Sequence, residues 1–241
     1  MKFPGCWTEP SVVTRRPLKG FGGACATRGR FTPASIVALP HLAGIAKTED
    51  AGDSALDLAG AIAGGLLQSH GADEEVARCA TALAELSATA AARLRTGLDG
   101  KTYLSRLRTI LAFDGQPLWF EGLDDFTDSF VCVACPHCDA LVTIAVGDYG
   151  CYSSIRDWNL GDVHQDPLRP AVPRELTGTG RMLHESAVRD GQQRLAWGLT
   201  HLFGRAECPG CGSAFGIADE YAAANALALG DFARDHIKDA F

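Results

Sequence analysis

Two strings of the form Cys-Pro-x-Cys stand far apart in this chain, "CPHC" at 135–138 and "CPGC" at 208–211. A turn of this kind aims two sulfurs at one point and turns backbone N–H groups toward them, which is half of a tetrahedral metal site. The residues that follow also match, Asp139-Ala140 after the first string and Gly212-Ser213 after the second. Under that match Cys132, the first cysteine of "VCVACPHC", falls opposite Arg205 and lies outside the set. The predicted ligands are therefore Cys135, Cys138, Cys208 and Cys211, holding one structural zinc ion in a closed four-thiolate site. Whatever else the chain does, residues 139–207 must leave the first turn and return to it.

The main rival reading of "CPHC" is the active site of a thioredoxin-like disulfide oxidase. That chemistry needs the first thiol at a helix N-terminus, where its pKa falls. Here "DALVTIAVG" follows and reads as a strand. A second Cys-Pro-x-Cys also has no role in that mechanism and an obvious one in a metal site. The chain has nine cysteines, an odd number, in metal-ligand spacing rather than spread as a framework, which favours metal over disulfides in a reducing compartment. The opening "MKFPGCWTEP" lacks the apolar core of a secretory signal, and no apolar run approaches the ~18 residues of a membrane span. These features predict a cytoplasmic protein with no membrane contact.

At 241 residues the chain can form one large domain or two modest ones, each with a real core. Residues 1–31, rich in Gly and Pro and without a period, read as an irregular segment. Residues 32–122 read as helical. Thr32 is the expected N-cap of the first helix, Pro33 its first residue, and Pro40 a kink within it. A second helix is expected over 53–69, with Gly60 and Gly64 offering a small face for close helix approach. Asp73 is the expected cap of the third, which places Val76, Ala80, Leu83, Leu86, Ala90 and Leu94 on one face, with Gly97 as its stop. A fourth spans 102–112 and aligns Leu104, Leu107 and Leu111.

Residues 123–241 change character. "DSFVCVAC" and "DALVTIAVGDYG" read as strands, residues 150–174 as a long loop, and "TGRMLHESAVRD" and "QQRLAWGLTHLFG" as short helices. "SAFGIADEY" reads as a strand and an Ala-rich terminal helix closes the chain. The expected fold class is α+β: an antiparallel helical layer, then a zinc ribbon interrupted by a loop and helix insertion at 148–205.

Other constellations carry less. His184-Glu185 opens like a zinc-protease helix, but the second histidine would stand at 188, which is Val188. No His-x-Glu accompanies the cysteine pairs, which excludes the nucleotide-deaminase pattern. "GFGGACATRGR" has no Lys-Ser/Thr ending and no preceding strand, so it makes a poor phosphate cradle. The insertion gathers Tyr149, Tyr152, Asp157, Trp158, His164 and Asp166 in one stretch, and Trp158 could anchor a partner or simply pin the loop. A small-ligand pocket between the helical layer and the insertion would draw on Asp157, Trp158, His164, His184 and Glu185. His201 reads as a packed histidine rather than a ligand. Cys132 reads as a strand cysteine, Cys151 as an inert half-buried thiol and Cys79 as core or its edge; Cys6 and Cys25 stay undecided.

The net charge of −7 is unevenly spread: residues 1–30 carry six Lys/Arg against one acid, and residues 113–241 nine against nineteen. An acidic C-terminal half is a poor match for a phosphate backbone.

With "FTPASIVALPHLAGIA", "CPHCDALVTIAVGDYG" and "LTHLFGRAECPGCGSAFGIAD" in view, the chain resembles uncharacterised proteins of high-GC actinobacteria. These join a HEAT-like helical region to a C-terminal portion with two Cys-Pro-x-Cys turns. Seventeen Arg against five Lys agree with such a genome. The resemblance implies a zinc-stabilised helical protein, and other HEAT-like proteins are mostly binding scaffolds. Three readings of function follow, in this order: a protein- or peptide-interaction module with structural zinc; an enzyme or small-molecule binder of specialised bacterial metabolism; a nucleic-acid-binding zinc ribbon.

Overall fold

The computed structural model describes residues 33–67, 73–94, 97–127, 130–147, 150–155 and 164–229. The first 32 residues, including Thr32, Cys6 and Cys25, lie outside these, as do Tyr149, Asp157 and Trp158. These residues are mixed helix and strand, with two small antiparallel sheets among them.

Among the described residues six helices come first. α1 (Pro33–Val37) and α2 (Leu39–Ile45) are separated at Ala38, and Pro40 occupies the first turn of α2, where its missing N–H costs no hydrogen bond. α3 (Gly52–Leu67), α4 (Asp73–Arg93) and α5 (Gly100–Phe113) follow, and α5 packs against both α3 and α4. Close approach of α3 to its neighbours rests on two glycines. A Cβ on Gly60 would meet the Thr109 methyl at 2.8 Å, and one on Gly64 would meet the Phe120 ring at 2.5 Å. Asp99 caps α5, its carboxylate accepting from the N–H groups of Lys101 and Thr102.

Two expectations for this half need correction. On α4 Cys79 is buried and Ala80 exposed, because the buried stripe includes Ala82, Leu83 and Leu86 and Cys79 lies closer to its axis. The helical run also continues past residue 122, to the end of a further helix, α6 (Pro117–Thr127). Trp119 explains its presence. That side chain is fully buried, its ring 4.7 Å from Phe203 and 6.0 Å from Tyr221, so α6 is held by partners far along the chain.

The strands β1 (Phe130–Ala134), β2 (Leu141–Gly147), β3 (Gly150–Ser154) and β4 (Asp166–Pro167) form one antiparallel sheet in that order. Val142 to Val146 of β2 are all buried, as expected of an interior strand with α8 (Gln193–Leu202) packed on it and β1 flanked by α6 and α9 (Ile217–Leu229). Residues 150–154, expected as loop, are a strand: Cys151 pairs with Val146 and Ser153 with Ile144. The pairing partner specifies this strand, since "GCYSS" has little β pattern of its own.

The helix α7 (Gly178–Arg189) packs on α8. β5 (Arg205–Glu207) and β6 (Ala214–Gly216) then form the second hairpin. "SAFGIADEY" is strand only to Gly216; helix α9 begins at Ile217. Among the described residues, one buried hydrophobic cluster runs from Leu39 to Ala222 and includes helices and both hairpins. A polar joint reinforces it: the buried Tyr103 hydroxyl of α5 donates to Asp190 at 2.8 Å, and Arg189 forks onto the same carboxylate. Those donors hold the Asp190 carboxyl below the usual range, Arg189 foremost.

Candidate metal centre

The two cysteine turns sit at the ends of two hairpins, Cys135–Cys138 between β1 and β2 and Cys208–Cys211 between β5 and β6. Their main chains repeat one hydrogen-bond pattern. In the first, the Cys135 N–H donates to the Ala140 carbonyl at 2.9 Å and the Asp139 N–H to the Cys135 carbonyl at 2.9 Å. In the second, Cys208 donates to Ser213 at 2.9 Å and Gly212 to Cys208 at 2.8 Å. The residue after each second cysteine lies in the left-handed region, Asp139 at φ 57° and Gly212 at φ 72°. The His137 N–H points at the Cys135 sulfur at 3.5 Å, as expected of a turn that supports a thiolate.

Contacts made by the insertion bring the second turn to the first. The buried Ser153 hydroxyl of β3 donates to the Glu207 carbonyl at 2.7 Å, one residue before Cys208. Arg169 and Arg205 exchange main-chain hydrogen bonds at 2.9 Å in both directions. Outside these, the exposed Arg169–Glu207 ion pair spans 3.1 Å. Gly204 is tight here: a Cβ would lie within 3.0 Å of the Thr200 carbonyl and of the Ala171 nitrogen. Ser153 and Arg169 thus act as a clamp that returns the chain to its first turn.

All four sulfurs lie within 4.8 Å of one another. Cys135 and Cys211 are 3.7 Å apart, and so are Cys138 and Cys208. A disulfide would bring sulfurs to ~2.05 Å, so neither pair is bonded. Four sulfurs at ~2.3 Å from one central ion lie about 3.8 Å apart. The cluster is therefore compatible with a metal site in both donor set and spacing. Cys135 and Cys208 are buried; Cys138 and Cys211 are exposed.

Without a cation the thiols hold their protons unequally. The Ser213 hydroxyl and N–H bring Cys211 down to about 6. The Ala140 N–H draws Cys138 down too, yet the Cys211 sulfur, partial desolvation and the other two sulfurs push it up to about 12. Burial raises Cys208. Four thiolates this close repel one another, and a divalent cation is what lets all four ionise together.

No protein-family model, no curated protein and no solved structure matches the chain.

Other expected site residues are not gathered with this centre. Cys132 is half-buried on β1, its sulfur 3.8 Å from the Thr143 hydroxyl across the ladder. Cys151 is half-buried and its thiol is raised by burial, as is that of Cys79. His201 is buried on α8, its ring against Trp197 at 4.5 Å and its Nδ1 3.0 Å from the Trp197 carbonyl. His164 is exposed and paired with Asp166 at 3.0 Å. Glu185 is exposed and paired with Arg181 one turn away on α7, where His184 is half-buried. An open depression on α7 is lined by Arg181, Met182, Glu185 and Arg189 among others, without His164 or His184. Sequence reasoning missed Ser153 and Arg169, which bind the second turn in place. Neither carries a local signal, because each acts through main-chain groups of another strand.

No helix among the described residues is long and apolar enough to cross a membrane.

Proposed function

We propose that this chain is a zinc-stabilised interaction protein: the ion is structural, and the folded surface it maintains binds a basic, apolar segment of another protein. The observation that carries the reading is the closed four-sulfur set, with Cys135 and Cys208 buried and two sulfur pairs at 3.7 Å across the hairpins. Four thiolates complete a tetrahedron and leave no position for a substrate, which suits a structural ion rather than a catalytic one. Sulfur donors in this geometry suit zinc among the divalent ions a cytoplasm supplies, with iron as the competitor for the same set. In this reading the ribbon-like pair of hairpins is locked by the ion, and the helices α1–α6 form the scaffold of HEAT-like character that the resemblance implies.

The interaction half of the proposal draws on charge and exposed apolar groups. The chain carries a formal charge of −7, concentrated toward its C-terminal half, which favours a basic partner. Trp197 on α8 is 49% exposed, an unusual position for a side chain of this size, and aromatic anchors are where interface energy concentrates. Leu141 and Ile155, at 41% and 42%, are exposed beside the first and second turns respectively, Ile155 Cδ1 lying 3.1 Å from where a Cβ on Gly210 would be.

Two measurements test this. Native mass spectrometry of gently purified protein should show one zinc per chain; a chain with no metal, or with iron, removes the zinc assignment. Capture from lysate with wild-type protein and with Trp197→Ala, followed by titration of the recovered partner, should show binding weakened by about tenfold or more for the variant, as a hot-spot loss of ~1.4 kcal/mol or more implies. The melting temperature should change little, since Trp197 is half-exposed. Equal affinity of both proteins would remove Trp197 from the interface.

A further inference from the structure

The exposed and buried sulfurs of the centre alternate between the hairpins in a way that has a chemical consequence. Each turn offers one exposed cysteine, Cys138 in the first and Cys211 in the second. The sulfur at 3.7 Å from Cys138 is Cys208, and the sulfur at 3.7 Å from Cys211 is Cys135. Each solvent-facing sulfur thus has a buried sulfur of the opposite hairpin in contact.

We infer that the centre is a peroxide-responsive site that exchanges its metal for two crossed disulfides, Cys138–Cys208 and Cys135–Cys211. The inference rests on the metal reading above and adds a regulation to it. The first event is attack of an exposed thiolate on hydrogen peroxide: an S–O bond forms, the O–O bond breaks, and hydroxide leaves with the electron pair. The sulfenic acid at Cys138 or Cys211 is then attacked by the thiolate 3.7 Å away, forming the S–S bond and releasing a second hydroxide. Each disulfide consumes one peroxide and two electrons from its two sulfurs. Two such steps consume all four thiolates, and the divalent ion leaves with its charge unchanged.

The sulfur contacts across the hairpins point to the crossed pairing. The sulfurs of each crossed pair must close from 3.7 Å to ~2.05 Å, a movement that side-chain rotation can provide. Both turns keep their hydrogen bonds, Cys135 to Ala140 and Cys208 to Ser213. A crossed bond also retains the closure of residues 139–207 that the ion enforced, so the fold survives loss of the metal. Linkage within each turn would leave the two hairpins without any covalent or metal tie.

The experiment is disulfide mapping of the full-length, metal-loaded protein after treatment with hydrogen peroxide, with metal release followed in parallel. Free thiols are alkylated before digestion, and linked peptides are identified by mass spectrometry. The expected result is Cys138–Cys208 and Cys135–Cys211 peptides appearing together with loss of the bound ion, both reversed by reductant and added zinc. Links of Cys135 to Cys138 and of Cys208 to Cys211 would overturn the inference. So would sulfinic or sulfonic acid on Cys138 and Cys211 without linkage, or an ion retained under peroxide that oxidises Cys151. If the starting protein holds no metal, the metal reading fails by itself, and the pairing found after peroxide still decides whether the crossed contacts direct the chemistry.

Discussion

The two cysteine turns have the same backbone and different settings. Both close on the same pair of main-chain hydrogen bonds, and both pass through the left-handed region one residue after the second cysteine. The first is the tip of a hairpin whose strands, five and seven residues long, belong to a four-stranded sheet. The second is the tip of a hairpin with three residues per strand, tied to the rest by Ser153 and Arg169. The first turn is therefore formed by its own sheet, whereas the second is placed by contacts that residues 139–207 provide. A metal ion held by all four sulfurs would couple a self-supporting half-site to a dependent one.

The largest expected effects come from substituting the ligands. Cys208→Ser removes a buried sulfur from the dependent turn and leaves a hydroxyl that binds zinc poorly among three thiols. We expect no metal in the purified variant and a melting temperature lower by roughly 10 °C or more, as a loss of ~3–5 kcal/mol implies for a chain of this size. Cys211→Ser, at an exposed position of the same turn, should retain metal at saturating zinc, because water can replace the lost ligand, and should melt a few degrees below wild type. Measured metal content and thermal melts of the two variants, beside Cys135→Ser and Cys138→Ser, check the ordering. If the exposed and buried substitutions behave alike, burial does not distinguish the ligands. If the first turn is the more sensitive, the contrast drawn between the hairpins is reversed.

A smaller effect isolates the backbone. Gly212 lies at φ 72° with nothing within 4 Å of where a Cβ would stand. Gly212→Ala therefore meets no neighbour and is strained only by conformation, at ~1–2 kcal/mol, less the ~0.4–1 kcal/mol that alanine gains by restricting the unfolded chain. A net loss of about 1 kcal/mol, or ~2–4 °C in melting temperature, is expected for the metal-loaded protein. An unchanged melt would mean that the turn relaxes out of the left-handed region.

What could be read from the chain beforehand divides along the same line. The four sulfurs were legible because each half-site is specified by four consecutive residues and a turn. Helices α3 to α5 were legible because their apolar period persists for several turns, although Ala80, expected on the buried face of α4, is exposed, while Cys79 is buried as a core or core-edge residue should be. Strand β3 and helix α6 were not legible. "GCYSS" acquires its strand from hydrogen bonds to β2, and α6 is fixed by Trp119 meeting Phe203 and Tyr221. The start of α9 at Ile217 was hidden because an apolar residue there satisfies a strand pattern and a buried helix turn equally. The clamp of Ser153 on the Glu207 carbonyl had no sequence signal, since it joins a short side chain to a main-chain group fifty-four positions away. Features set by neighbours in sequence could be read, and those set by neighbours in space could not. Trp158, which could anchor a partner or simply pin its loop, lies outside the described residues.

The smallest expected effect is at the matching position of the first turn. Asp139 holds φ 57°, a conformation that aspartate tolerates better than most residues because its carboxylate can bond locally. Asp139→Gly relieves a strain smaller than that imposed by Gly212→Ala, and it costs the ~0.5–1 kcal/mol of backbone entropy that glycine loses on folding. The two terms nearly cancel, so the melting temperature should move by less than ~2 °C. Charge supplies a separate readout. Four thiolates around a divalent ion carry two net negative charges, and Asp139 adds a carboxylate next to Cys138 in sequence. Asp139→Asn keeps a residue that also tolerates the left-handed region and removes only the charge. A tighter zinc affinity for both variants, rising as salt is lowered, would assign the effect to repulsion between the carboxylate and the thiolates. An increase for glycine alone would assign it to backbone strain, and the two turns would then differ in conformation more than their shared hydrogen bonds suggest.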